Sequence, residues 1–191
     1  MRAFLFLMTT MGFFHSCAQQ PKNELVNMND VVTKKAVFAS GCFWGTEYYM
    51  KRIDGVISTT VGYTGGSVEN PTYKEVCTGR TGHYEAIEIV YDPSKVNYET
   101  LARTFFETHD PTQMNGQGPD IGSQYRSAIF YSSNEEKQIS EQLIALLEAK
   151  GNRIATVVLE LDVFWSAEEY HQDYYDIKGG TPYCHKYTKR F

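Results

Sequence analysis

A surplus of positive charge is missing from this sequence. Its 18 Lys and Arg stand against 23 Asp and Glu, for a formal net charge of −5. A nucleic-acid binder normally carries a basic face, so this balance argues against one. No Gly-x-x-x-x-Gly-Lys-Ser/Thr loop occurs, and no Gly-x-Gly-x-x-Gly follows a strand, so nucleotide binding has no support. Paired zinc-ligand spacing is missing too. No Cys-x-x-Cys is present, and the one tight Cys/His pair, Cys184-His185, is adjacent in sequence. Adjacent side chains rarely ligate one metal together, so neither a metal nor an organic cofactor is expected. The apolar run at residues 3–14 falls short of the ~20 residues that a membrane-spanning helix needs.

What is present begins with length and composition. A chain of 191 residues fits one domain with a real core, and 42% hydrophobic with 21% charged residues is ordinary for a soluble protein. Arg2, the apolar run and His15-Ser16-Cys17-Ala18 have the proportions of a bacterial lipoprotein signal. In that reading residues 1–16 are removed, Cys17 is lipidated, and polar residues 18–33 tether a folded domain at 34–191. Phe14 and His15 depart from the usual Leu and small residue, and plain secretion or an uncleaved anchor is the alternative. The expectation is a periplasmic, membrane-anchored lipoprotein, monomeric in its folded domain. Setting Cys17 aside leaves Cys42, Cys77 and Cys184. An odd count fits a structural disulfide framework poorly and flags a reactive thiol. An oxidising compartment would require a dedicated reductant for it.

The apolar run at 35–40 ends at Gly41 and reads as a buried strand, with a helix at 42–52 whose first turn holds Cys42. Strand patterns recur at 56–63, 84–91, 125–131 and 156–161. The run at 84–91 alternates as a half-buried strand does. An amphipathic helix is expected at 97–109, a long helix capped by Asn134 at 135–150, and a short one at 168–175. Residues 70–81 are turn-rich, 110–122 form a long Gly/Pro/Asn-rich loop, and a Gly- and Tyr-rich tail carries Cys184. The intermixed elements predict one mixed α/β domain.

Gly41-Cys42-Phe43-Trp44-Gly45 is the sharpest local signal. A cysteine at a helix start meets unpaired amide N–H groups and the positive end of the helix dipole, which lower a thiol pKa. A small buried cysteine packed with aromatics is the alternative. The stretch through Thr46-Glu47 resembles the active-site signature of the A-type peptide methionine sulfoxide reductases. Val61-Gly62-Tyr63-Thr64-Gly65-Gly66, Asn70-Pro71-Thr72-Tyr73, Thr81-Gly82-His83-Tyr84-Glu85, His109-Asp110-Pro111-Thr112-Gln113 and Asp120-Ile121-Gly122-Ser123-Gln124-Tyr125-Arg126-Ser127 follow in that family's order. The resemblance runs from about residue 37 to 187.

This resemblance implies a single ferredoxin-like two-layer α/β (α+β) sandwich with a mixed sheet and an extended, loop-rich C-terminal tail. It implies reduction of free and peptide-bound L-methionine S-sulfoxide, with Cys42 as nucleophile and Glu85 as acid. Glu85 must be protonated to donate, which calls for desolvation; as part of an alternating strand it would otherwise face outward. Tyr73 and Tyr125 correspond to hydroxyls that hold the sulfoxide oxygen, Asp120 to a supporting acid, and Phe43 and Trp44 to the receptor of the S-methyl group. Cys42 would be left as a sulfenic acid, which condenses readily with a second thiol. Cys184 corresponds to the resolving cysteine, with Cys77 the competitor, and thioredoxin or a thioredoxin-like protein would reduce the disulfide. Pairing would need a mobile tail, which Gly179 and Gly180 would permit. The rivals are another thiol redox enzyme, such as a peroxidase that needs no Glu85, and an exported binding protein indifferent to Cys42→Ser.

Overall fold

The computed structural model of the protein describes residues 32–191. The expected signal sequence and cleavage site, Cys17 and most of the expected tether lie outside the described residues. β1 (Lys34–Ser40) is buried on both faces from Ala36 onward because it lies inside a six-stranded sheet. The order is β7 (Val157–Glu160), β6 (Ser127–Tyr131), β1, β3 (Tyr84–Tyr91), β2 (Val56–Thr64) and β8 (Trp165–Ser166). Every adjacent pair is antiparallel except β6 and β7, so the sheet is mixed.

One face is covered by α1 (Phe43–Met50), α3 (Tyr98–Thr108) and α4 (Asn134–Ala149). Strand alternation turns Phe38, Ile87 and Ile89 toward this layer, where they meet Met50, Leu101, Phe105, Leu143 and Leu147. Phe38 and Phe105 stack with ring centroids 5.2 Å apart. Burying each such side chain contributes about 1.5–3 kcal/mol. The other face carries Val37, Ala39, Tyr84, Ala86, Ala128 and Phe130, packed under Leu159, Leu161 and Phe164. β3 is therefore buried on both faces over most of its length, not half-buried as its alternation predicts.

Several local expectations are corrected. The strand expected from 125 starts at Ser127, because Ser123–Tyr125 winds into a 3-10 turn. Ser133, not Asn134, caps the long helix, its hydroxyl accepting from the Glu136 N–H. The loop at 110–122 contains a small hairpin of β4 (Gly116–Gln117) and β5 (Asp120–Ile121). Within the turn-rich 70–81 stretch, a Thr72–Glu75 capping box starts α2 (Tyr73–Val76). The single helix expected at 168–175 is a 3-10 turn at Glu169–His171 followed by α5 (Tyr174–Lys178). Between them Asp173 takes a left-handed φ of 54°, and its N–H is held by the buried Glu47 carboxylate.

Candidate active site

Gly41 ends β1 with a φ of +96°, and a Cβ there would stand 2.4 Å from Gln117 Cβ, so glycine alone fits this corner. The turn puts Cys42 at the N-cap of α1, its carbonyl accepting from the Gly45 and Thr46 N–H groups. Glu85 lies on the face of β3 that carries Ile87 and Ile89, opposite Tyr63 of β2 in register. It is 1% exposed. One carboxyl oxygen accepts from the Phe43 N–H at 3.1 Å, and the other, Oε1, has no partner. Burial, then the neighbouring Cys42, raise its pKa well above the ordinary carboxylate range against the opposing Phe43 N–H. A buried carboxyl with a raised pKa and a free oxygen thus stands beside Cys42.

Around it, Phe43 is buried among Tyr63, Tyr73 and His171, at centroid distances of 5.9, 6.5 and 5.1 Å. Glu168 sets this wall, accepting from the Tyr63 hydroxyl and from the Tyr73 N–H at the start of α2, both at 2.9 Å. The Tyr73 hydroxyl lies beside the Cys77 thiol and the Tyr125 hydroxyl. Burial pushes Tyr125 up to about 12 and raises Tyr73 as well, so both remain O–H donors at neutral pH. Trp44 is half-buried and stacks on Tyr174 of α5 at 3.8 Å.

The tail brings Cys184 onto this site. Its sulfur, that of Cys42 and an Asp120 carboxylate oxygen lie mutually within 4.8 Å. The Tyr183 hydroxyl donates to Asp120 at 3.1 Å, tying the tail to β5. Cys77 is exposed on the far side of Tyr73 and is not part of the Cys42 cluster. Two thiols and a carboxylate could hold a thiophilic ion, but the two thiols are also the pair that a Cys42–Cys184 disulfide requires. After Cys184, Lys186 and Thr188 donate backbone bonds to the carbonyls of Thr108 and Glu107, and Arg190 grips Phe106 and His109. These contacts hold the tail after Cys184 against the end of α3.

The sequence model of peptide methionine sulfoxide reductase matches residues 34–191. The chain belongs to that family. The MsrA peptide methionine sulfoxide reductase of Sulfolobus acidocaldarius is 51% identical over 150 residues, covering 78% of this chain and 85% of its own. Mxr1 of Saccharomyces cerevisiae in its reduced form superposes with a TM-score of 0.76 at 36% identity, over 83% of this chain and 93% of that one. The same yeast protein in complex with Trx2 gives 0.56 at 26% identity, over 86% and 96%. The chain is accordingly an oxidoreductase of methionine sulfoxide, and the two-layer fold expected from the resemblance is the one seen.

One expectation for this reductase site is corrected. The helix start lowers the Cys42 pKa through the Trp44 N–H, but the surroundings of Cys42 outweigh it. The adjacent Cys184 thiol and burial raise the pKa well above the ordinary thiol value, and only the Trp44 N–H opposes them. The physical reason is local: the Phe43 N–H of the first turn is spent on Glu85, and Cys42 is only 8% exposed. Sequence reasoning also missed Glu168, Tyr174 and His171, the last boxed by Phe43, Trp44, Tyr73 and Tyr170 with neither ring nitrogen bonded. Their one signal was the dense aromatic and acidic run at 164–175.

Proposed function

We propose that the chain reduces the S epimer of methionine sulfoxide, free and in oxidised proteins, through residues of this one site. Cys42 attacks the sulfoxide sulfur while Glu85 protonates the oxygen, and the Tyr73 and Tyr125 hydroxyls hold that oxygen as it gains charge. Phe43 and Trp44 receive the S-methyl group, and Asp120 supports the site. The substrate S–O bond breaks as the hydroxyl passes to the Cys42 sulfur, methionine departs, and the proton lost by the Cys42 thiol restores Glu85, leaving Cys42 as a sulfenic acid. Cys184 condenses with it, releasing water and forming a disulfide that a thioredoxin or thioredoxin-like dithiol reduces by exchange. No metal or organic cofactor enters the cycle. The observation that carries this reading is the buried Glu85, with its free Oε1 and raised pKa, beside a Cys42 sulfur that lies within 4.8 Å of the Cys184 sulfur. The yeast relative bound to Trx2 supports the choice of reductant.

The test follows methionine release by the full chain with dithiothreitol and each sulfoxide epimer. Turnover of the S epimer should vanish in Cys42→Ser and fall about 10²–10⁴-fold in Glu85→Gln, the range of general acid catalysis. Cys184→Ser should keep dithiothreitol turnover and lose support by thioredoxin. Failure of reduced, folded wild type on both epimers would sink the proposal. We also propose export and lipidation at Cys17, supported by Arg2, the apolar residues 3–14 and His15-Ser16-Cys17-Ala18. Metabolic lipid labelling that persists in Cys17→Ala, or is absent from cleaved wild type, would exclude the anchor.

A further inference from the structure

His185 is a buried imidazole with partners on both ring nitrogens and has no part in the cycle above. It is 4% exposed, and its Nδ1 lies 3.1 Å from Cys184 Sγ. Its Nε2 lies 3.4 Å from both the Ser40 and the Thr46 hydroxyl oxygens. The proton assignment that fills every one of these contacts places the ring hydrogen on Nε2. Thr46 donates its hydroxyl proton to the Cys42 carbonyl. The 2.7 Å contact between Ser40 and Thr46 is then filled by the Ser40 proton. Both hydroxyls have spent their hydrogens and offer lone pairs to Nε2, which therefore bears the N–H. Nδ1 keeps its lone pair, aimed at Cys184.

The bonds run in one direction. Cys184 donates to Nδ1, Nε2–H to the hydroxyl pair, and Thr46 to the carbonyl of Cys42, whose own sulfur lies within 4.8 Å of that of Cys184. The signature glycine at 45 belongs to the same device. A Cβ there would stand 2.2 Å from Nδ1, so the position has no side chain because the imidazole lies flat against α1.

We infer that His185 is the proton acceptor for the resolving thiol. The inference rests on Cys184 being the resolving residue, as proposed above. Cys184 gives its proton to Nδ1 as its sulfur attacks the sulfenic sulfur of Cys42. The S–S bond forms, the S–O bond breaks, and the departing hydroxide leaves as water with the proton returned by the imidazole. Cys184 is oxidised, Cys42 sulfenic acid is reduced, and His185 ends neutral. Burial holds the ring neutral, lowering its pKa to about 4 against the opposing Ser40 carbonyl and Asp120. The other titratable groups facing it are Cys42, Cys184 and His109, with Asp110, Lys186 and Arg190 around the 160 Å³ cavity at its outer side.

The experiment is a single turnover of the reduced full chain with free L-methionine S-sulfoxide, quenched at intervals. Methionine is counted separately from thiols lost to the disulfide. Wild type, His185→Asn, His185→Gln and Cys184→Ser are compared from pH 6 to 9.5. His185→Asn keeps an acceptor near the Nδ1 position, so it holds Cys184 without taking its proton. Methionine formation should match wild type in both His185 variants. Disulfide formation should fall ten- to a hundredfold at pH 7 and climb about tenfold per pH unit toward the thiol pKa, where wild type stays flat. A slowing in His185→Asn that is constant across pH, or no slowing, overturns the inference. A disulfide on Cys42 that still forms in Cys184→Ser overturns the resolving role of Cys184 instead. If His185→Gln loses methionine formation through misfolding, the pH slope of His185→Asn decides.

Discussion

At the scale of single residues, the site is a set of protonation states fixed by burial. Glu85 has a raised pKa because water is excluded and the nearest group that can ionise is a thiol, which carries no positive charge. The sign of its stability effect follows: a carboxyl with a raised folded pKa favours the fold below about pH 4.5 and costs stability as pH rises toward its folded value. Glu85→Gln should therefore gain stability relative to wild type as pH climbs from 4.5 to 8 while losing turnover, measured by denaturant melts across that range. Wild-type activity should decline at the high-pH end as Glu85 ionises. Gly45→Ala drives a methyl into the His185 ring, and overpacking of this kind costs about 1–3 kcal/mol. Its disulfide step should also slow, which a thiol count after one turnover reads directly. Cys77→Ser should leave thioredoxin-supported turnover near wild type, because the Cys77 thiol is outside the Cys42 cluster.

At the scale of elements, α1 is the part that everything else is fitted to. Its first turn presents Cys42 and Phe43, and its last turn holds the chain that returns from β8. Glu47 accepts from the Thr59 hydroxyl and the Asp173 N–H, and Lys51 pairs with Asp173 and Asp176. This latch seats α5 so that Tyr174 covers Trp44. Glu47→Ala should cost about 1–3 kcal/mol, the usual penalty when buried partners are left unpaired. Trp44 should then become more accessible to a collisional fluorescence quencher. Unchanged stability and quenching would show that the aromatic cover does not depend on the latch. The helix at 168–175 was legible as helical pattern but not as two pieces, because the break at Asp173 is imposed by Glu47, far away in sequence.

At the scale of the whole molecule, opposing titrations set the pH response. His109 and His185 are buried and neutral, lowered by desolvation to about 3 and about 4. Groups lowered in this way support the fold above the ordinary histidine value near 6.5 and lose that support as pH falls through their folded values. Glu47 and Glu85, both raised, act in the other direction. The stability difference between wild type and His109→Gln should thus narrow as pH falls from 6.5 to 4, by at most about 1.4 kcal/mol per pH unit. Paired thermal or denaturant melts check it, and a constant difference would mean that His109 is charged in the fold.

The sequence by itself determined the strand and helix periods and the family. Those features are carried by short local patterns: apolar alternation, Gly41 at a corner, Cys42 at a helix start, a cysteine in the tail. Only the tertiary structure decided the protonation of Cys42, the raised pKa and free oxygen of Glu85, and which second cysteine lies against the first. It alone brought Glu168 and His171 to the aromatic wall and His185 to Cys184. Each of these depends on desolvation and on contacts between chain segments far apart in sequence, which leave no periodic trace along the chain.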